Sequence, residues 1–366
     1  MATIQEITTF LEQLAPLDYQ ESYDNAGLIV GNPQNEITQI LVSLDCTEEV
    51  VQEAMDRSCN LIVAHHPIVF KGLKKLNGKN YVERTVLKAI KNDIAIYATH
   101  TNLDNVKGGV NWKIAERLGL ENLKILAPRK QLLRKLTTFV PLEHTQAVLQ
   151  ALYQAGAGQI GAYKNCSFRT LGTGTFTPTE VANPYIGVVN ESEEVPEERI
   201  EVIFPSAIEA LVLRALRQAH PYEEVAYYLH QLENDQQEVG AGAIGTLSEP
   251  LSETGWLAYL KDKMQLNVIR HTPLRNKMIK TVAVCGGAGS FLLSDAKRQQ
   301  ADAFVTADFK YHEFFDAEGR LIICDIGHFE SEVFTKDLLC DTLTQKFCNF
   351  ATLLSKTDTN PVHYYV

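Results

Sequence analysis

Leu61-Ile62-Val63-Ala64-His65-His66-Pro67 decides how this chain folds: a four-residue apolar run passes directly into two imidazoles and a proline. A short, continuous apolar run of this kind reads as a strand buried on both faces. Adjacent residues of a regular strand point to opposite faces, so His65 and His66 can share a site only where the chain leaves the sheet. Pro67, which restricts the conformation of His66, marks such a point. The plain alternative is two ordinary histidines at a strand end.

The pattern recurs twice. Ile94-Ala95-Ile96-Tyr97-Ala98 runs into Thr99-His100-Thr101-Asn102-Leu103-Asp104, and Leu321-Ile322-Ile323-Cys324-Asp325-Ile326 runs into Gly327-His328-Phe329-Glu330-Ser331-Glu332. Each segment places metal-type ligands just after a strand, and open α/β sheets bind ligands at the carboxyl ends of their strands. If the three strands lie parallel in one sheet, five donors converge on one end of it: His65, His66, Asp104, His328 and Glu332. His328 and Glu332 are four apart and share a helix face, an arrangement that a solvated surface pair also produces. Asp104 by itself also reads as a loop carboxylate in a turn with Asn105, Gly108 and Gly109.

Three imidazoles and two carboxylates exceed the three protein ligands of a single catalytic zinc. They suit two divalent metal ions per chain. Mixed nitrogen and oxygen donors without thiolate fit Zn, Mn, Fe or Co alike. His100 has three functional readings: a support for a ligand, an extra ligand, or a general acid. Its bland counterpart is a packed loop histidine. His312, in Tyr311-His312-Glu313, is a second candidate for the cavity, on even terms with having no role there. Gly286-Gly287-Ala288-Gly289-Ser290 lacks the P-loop lysine and the dinucleotide fingerprint, and reads as a tight strand-to-helix turn rather than a phosphate cradle. The seven cysteines form no CxxC pair. Cys285 and Cys324 lie in apolar runs, where cysteine acts as a small hydrophobe, so no zinc-thiolate site is expected.

Outward from these motifs, strands at 40–44, 61–64 and 94–98 alternate with helices at 48–55, 81–91 and 110–118. The rhythm resumes with strands at 281–285, 303–306 and 321–326 and helices at 290–299 and 329–347. Such βαβ units build a parallel or mixed sheet with helices on its faces. The middle differs: a strand at 134–140, a helix at 144–155, an extended segment at 168–176, a loop or hairpin tip at 183–198, a strand at 199–204, a helix at 206–219 with Ser206 as N-cap, and a strand at 225–232. That β-α-β-β-α-β order is ferredoxin-like. The expected fold class is therefore a mixed-sheet α/β metal-binding domain, residues 1–130 and 238–366, interrupted by a ferredoxin-like α+β insertion at 131–237. The insertion spans about 105 residues, an ordinary domain size. The glycine-rich stretch 240–245 reads as the return hinge.

The 366 residues are 45% apolar and 22% charged, the balance of a globular soluble chain. No apolar run is long enough for a membrane span. Thr3 and Glu6 form a capping box at the start of an amphipathic helix, which is not a secretory leader, so a cytoplasmic protein is expected. A net charge of −11 without a Lys/Arg-rich block argues against a nucleic-acid partner.

Together these residues resemble the NGG-interacting-factor-three-like family of dinuclear-metal proteins, the GTP cyclohydrolase 1 type 2 homologues. The resemblance rests on Tyr23-Asp24-Asn25-Ala26-Gly27-Leu28-Ile29-Val30-Gly31, Ala64-His65-His66-Pro67, the 99–104 segment and the 327–332 segment. It implies that His65, His66, Asp104, His328 and Glu332 are the metal ligands. His220-Pro221-Tyr222-Glu223-Glu224-Val225-Ala226-Tyr227 is similar to the motif of the PII/CutA-like module inserted in the long bacterial form. The resemblance further implies a toroidal homo-hexamer with its metal sites facing an internal cavity, and a small-molecule or nucleotide substrate. The implied activity is a metal-dependent hydrolase that opens the purine imidazole ring of GTP with loss of formate, with His100 or His312 protonating a departing nitrogen. The rival is a non-catalytic, metal-bound regulatory or scaffold assembly that senses a small ligand through its PII-like module. Two positions depart from the family's pattern: Tyr23 stands where Trp is frequent, and Thr306-Ala307-Asp308 where Thr-Gly-Asp or Thr-Gly-Glu is frequent.

Overall fold

The computed structural model describes residues 2–365. The chain is a mixed α/β protein that divides into two compact units, Met1–Pro128 with Glu238–Val366, and Arg129–Gln237.

The first unit contains two sheets. One runs Gly27–Val30, Ala95–Ala98, Leu61–Ala64, Ile40–Ser43, Thr352–Leu354. Its last four strands are mutually parallel and the first is antiparallel to its neighbour. The three interior strands are buried at every position, which is why they read as unbroken apolar runs. Two helices cover one face, Glu48–Asp56 capped by Thr47 and Tyr81–Lys91 capped by Asn80. Their Val50, Val51, Ala54, Val86 and Ala89 pack with Leu41, Ile62 and Ile96. The N-terminal helix Ile4–Leu14 starts at the expected capping box of Thr3 and Glu6.

The second sheet runs Arg270–His271, Ile322–Asp325, Ala303–Ala307, Met278–Ala288, Gln236–Ser252, Glu121–Arg129. Ile322–Asp325, Ala303–Ala307 and Met278–Ala288 are parallel. The three motif strands therefore do not share one sheet, as the single-sheet reading required. Leu61–Ala64 and Ala95–Ala98 belong to the first sheet and Ile322–Asp325 to the second. The reading failed because βαβ rhythm reports local connectivity and says nothing about which strands pair.

The expected hinge at 240–245 is also corrected, since it lies inside the strand Gln236–Ser252. Ala243, Ile244 and Gly245 pair with Val284, Ala283 and Val282. Gly242 has φ +67°, and a Cβ there would fall 2.9 Å from Leu292 Cδ1 and 3.0 Å from the Val284 carbonyl oxygen. Close packing, not flexibility, accounts for glycine at this position.

The second unit is a four-stranded antiparallel sheet in the order Phe168–Phe176, Glu193–Pro205, Leu133–Pro141, Tyr227–Leu232. The helices Thr145–Gln154 and Glu209–Ala219 bury Val148, Leu152, Val212 and Leu216 against Leu136, Val140, Ile200, Val202 and Phe204. The segment expected at 183–198 as a loop or hairpin tip lies in the connection between the antiparallel strands Phe168–Phe176 and Glu193–Pro205, and is shorter than read because its last residues open the latter. Pro196 is tolerated there: pairing with Leu133–Pro141 stops at Glu197, leaving one side of the strand open. Ser206 makes no side-chain cap, since a 3-10 turn Ser206–Ile208 precedes the α-helix. Among the described residues no helix is long and apolar enough to cross a membrane.

The packing at Gly242 makes a test. Gly242→Ala should lower stability by about 1–3 kcal/mol through overpacking and backbone strain, read by chemical denaturation. An unchanged midpoint would mean that this strand has slack the contacts do not show.

Candidate metal centre

The two adjacent histidines share a side because the chain turns off the sheet at Leu44. The Leu44 carbonyl accepts from both the His65 N–H, at 3.1 Å, and the His66 N–H, at 2.9 Å. This breaks the strand alternation, and the two rings end 4.9 Å apart and tilted by 45°.

Four histidines then follow one rule, with Nδ1 anchored and Nε2 free to point inward. His65 Nδ1 donates to the Thr99 carbonyl at 2.8 Å. His66 Nδ1 is held by Asp45 Oδ1 at 2.8 Å, His100 Nδ1 by Asp24 Oδ1 at 2.7 Å, and His328 Nδ1 by Asp308 Oδ2 at 2.6 Å. An anchored Nδ1 fixes the ring's orientation and presents the Nε2 lone pair, the arrangement typical of metal-binding imidazoles.

Glu332 stands where these lone pairs meet. Its Oε2 lies 2.9 Å from His66 Nε2 and 3.2 Å from His328 Nε2. Its Oε1 lies 3.9 Å from His65 Nε2, which is itself 3.7 Å from Asp104 Oδ1. Two groups have all their ligand atoms within 4.8 Å of one another: His65, His66 and His100, and His66, His328 and Glu332. The five expected donors are thus brought together, with His100 beside them at ring separations of 5.3 and 5.4 Å from His65 and His66.

Whether this set fits a metal turns on two atoms. His65 Nε2 and Asp104 Oδ1 are buried and have no hydrogen-bond partner. Their 3.7 Å separation exceeds a hydrogen bond. Buried polar atoms left in this way cost about 1–3 kcal/mol each. A divalent ion with ligand bonds of about 2.0–2.2 Å satisfies both at once. The donor set fits.

The glycine turn after Met278–Ala288 has a steric cause. Gly287 has φ +58°, and a Cβ there would lie 2.5 Å from Glu332 Oε1 and 3.1 Å from His328 Cε1. Its N–H donates to Ser331 Oγ at 2.9 Å, and the Gly286 N–H donates to Asn111 Oδ1 at 2.9 Å. Both amides are engaged by side chains, so the turn clears space for the cluster and is not a phosphate cradle.

Electrostatics follow from the crowding. Burial works against charge on His66, but the flanking Asp45 and Glu332 carboxylates carry it up to about 10. His328 is likewise buried, and Glu332 and Asp308 carry it up to about 9. Burial lowers His65. Burial and the nearby Glu332 push Asp104 well above the usual carboxylate range. Glu332 moves the other way: burial disfavours its charge, but His328, His65 and His66 hold it well below that range. Asp24 is held at about 2, because hydrogen bonds from His100 and Thr101 outweigh its burial.

The cluster lies at the base of a cavity of about 880 Å³ lined by Tyr23, Phe70, Tyr81, Phe291 and Arg270, among others. His312 is not brought to it. It is exposed in the 3-10 segment Tyr311–Ala317, edge-on to Tyr311 at 5.2 Å and stacked on Phe315 at 6.3 Å. The expectation that His312 faces this cavity is corrected for the single chain, because the segment turns that side chain to the surface. Asp24, Asp45 and Asp308 were missed as anchors of these rings, although the last two carried a signal. Asp45 and Asp308 closely follow the strands Ile40–Ser43 and Ala303–Ala307, the same strand-end position as the ligands. Thr359 was missed too; its hydroxyl donates to Asp45 Oδ2 at 2.5 Å.

Comparison with known proteins agrees over the whole length. A family model described as Duf34/NIF3 (NGG1p interacting factor 3) matches residues 2–361. A Bacillus subtilis protein named GTP cyclohydrolase 1 type 2 homolog is 39% identical over 362 residues, covering 98% of this chain and 97% of its own length. A Bacillus cereus crystal structure, described as a protein related to NIF3, superposes with a TM-score of 0.87 at 37% identity and covers 100% of this chain and 99% of its own. A Staphylococcus aureus crystal structure follows with a TM-score of 0.79 at 30% identity, covering 100% and 99%.

The raised imidazoles set the pH dependence of metal uptake. Metal-free His66 and His328 hold protons up to about 10 and about 9, and ligation requires them neutral. Binding at pH 7 should therefore release about two protons from these imidazoles, and affinity should fall about tenfold per displaced proton for each unit of pH below 9. Calorimetric titration in two buffers of different ionisation heat reads the release. Zero protons released would sink this electrostatic account.

Proposed function

The chain belongs to the Duf34/NIF3 family, and from that premise we propose that it is a divalent-metal-dependent hydrolase working through a two-metal site. The observation that carries the proposal is Glu332, whose two oxygens face different partners. Oε1 faces His65, which is opposed by Asp104, and Oε2 faces His66 and His328. In this reading His65, Asp104 and Glu332 would hold one ion, and His66, His328 and Glu332 the other. The ions are Zn, Mn, Fe or Co, as the donor set allows. Such ions supply Lewis acidity, stabilising charge that develops on an oxygen and acidifying water.

The name of the Bacillus subtilis relative leads us to propose opening of a purine nucleotide's imidazole ring with release of formate. The cavity volume of about 880 Å³ lies within the range of nucleotide-sized sites. Tyr23, Phe70, Tyr81 and Phe291 offer faces on which a base can stack. Arg270, whose Nη atoms bond Asp325 Oδ2 and the Phe309 carbonyl at 3.0 Å each, keeps a 55% exposed side chain with N–H groups to spare for phosphate. His100 is the proton carrier: Asp24 holds its Nδ1 at 2.7 Å, so Nε2 is the atom that gives a proton to a departing nitrogen.

Three further readings belong to the proposal. Residues 129–237 form a ferredoxin-like, PII/CutA-like insertion, supported by the β-α-β-β-α-β order and by the first strand lying between the third and the fourth. The assembly is a homo-hexamer, on the strength of the family resemblance. The compartment is the cytoplasm, supported by seven cysteines that are all unpaired.

The test is formate release from GTP by the metal-loaded chain, beside metal content per chain. Wild type should turn over, and His66→Ala should bind fewer than two ions and lose activity. His100→Gln should keep its metal and lose about 10²–10⁴-fold in turnover. Full metal loading with no formate from GTP would remove the ring-opening proposal and favour a regulatory role. Two ions still bound by His66→Ala would remove the ligand assignment.

A further inference from the structure

The second unit contains a cavity of its own, of about 680 Å³. It lies on the sheet face opposite the two helices, where Phe139, Arg199 and Tyr228 alternate with the core residues Val140, Ile200 and Leu229. The segment 177–192 rims it and is pinned at two points. The Asn183 N–H donates to Glu223 Oε1 at 2.8 Å, and the Tyr185 hydroxyl meets His144 Nε2 at 2.9 Å.

Its chemistry is acidic and aromatic. Glu197 is only 6% exposed although it carries a carboxylate. Its Oε1 accepts from the Tyr222 hydroxyl at 2.9 Å, and among the described residues no donor reaches Oε2, which lies over Gly174 where the neighbouring strand has no side chain. Oε2 is thus the carboxylate atom left accessible to the cavity that Glu197 lines. Tyr222 carries the aromatic wall outward, with ring centroids 5.9 Å from Phe176 and 6.4 Å from Tyr185, while Phe139 and Tyr228 form a second pair at 5.6 Å. The lining carries Glu197, Glu223 and Glu224 against Arg199 alone, and Arg199 pairs with Glu201 at 2.5 Å.

We infer that this cavity is a binding site for a small organic cation, an ammonium group carried on an apolar body. Electron-rich aromatic faces attract a cation, and the Glu197 carboxylate, with one oxygen open to the cavity, supplies its counter-charge. The same lining repels phosphate and carboxylate ligands. The motif His220-Pro221-Tyr222-Glu223-Glu224 acquires a role in this site. The His220 ring donates from Nε2 to the Phe139 carbonyl at 2.9 Å and accepts the Tyr222 N–H at Nδ1, at 3.1 Å. It thereby sets where Tyr222 stands, and Tyr222 in turn orients Glu197. The inference is independent of the metal centre.

The experiment is calorimetric and ligand-observed NMR titration of the full chain with choline and with phenethylammonium. The controls are dimethylbutanol, a neutral isostere of choline, and phenylacetate, an anionic analogue of phenethylammonium. Saturable binding of at least one cation is expected, at least about tenfold tighter than its control, with a loss of about tenfold or more in Glu197→Gln. Tyr185→Ala, at a half-exposed position whose truncation spares the core, should weaken binding several-fold. Arg199→Ala should not weaken it, since that change removes a like charge. Equal affinity for cation and control, tighter binding of phenylacetate, or no saturation by either cation would overturn the proposal. So would binding that survives both Glu197→Gln and Tyr185→Ala.

Discussion

One carboxylate reaching across from one sheet to the histidines of another is the contact on which the centre depends. Glu332 comes from the helix after Ile322–Asp325, and His65 and His66 from the turn after Leu61–Ala64. Its two oxygens address three imidazoles. Several features exist to permit that reach. Gly287 removes a side chain from its path, Ser331 ties the helix to the turn, and Asn111 holds the Gly286 amide. Without the reach, the first sheet would present two histidines and an aspartate at its edge, and the second an exposed His–Glu pair.

Orientation is the second layer. Each imaginable rotation of an imidazole is suppressed by an acceptor on Nδ1, which is a carbonyl for His65 and a carboxylate for His66, His100 and His328. Charge follows the same contacts: Asp45 and Glu332 raise His66, Glu332 and Asp308 raise His328, and burial lowers His65. One wall of the cluster therefore binds protons readily while His65, on the other, stays neutral. Such asymmetry within one pocket gives its two halves different chemistry from the same side-chain type.

Much of this could be read from the chain alone. The buried strands appear as apolar runs because both faces are covered, and donors just past their ends mark a site by a rule that needs no coordinates. Asp45 and Asp308 obey that same rule, but a lone aspartate after a strand is too common to stand out. The pairing of strands was not legible, because pairing is decided by helices and by long-range packing that a local pattern does not encode. The glycines at 240–245 misled for a similar reason: chain flexibility and tight packing both select glycine, and only the neighbours Leu292 and Val284 distinguish them at Gly242. His312 shows the limit of adjacency arguments, since a 3-10 segment sends its ring to the surface.

The division of the centre between two sheets has a consequence in time. His66 and Glu332 meet across 266 positions of sequence, and the whole second unit lies between them. During translation the first sheet's histidines leave the ribosome long before their acidic partner exists. A nascent chain thus passes through a stage with half a pocket. The complete donor set waits for the segment after Ile322–Asp325, so a finished cluster itself reports that both sheets have been made and have docked.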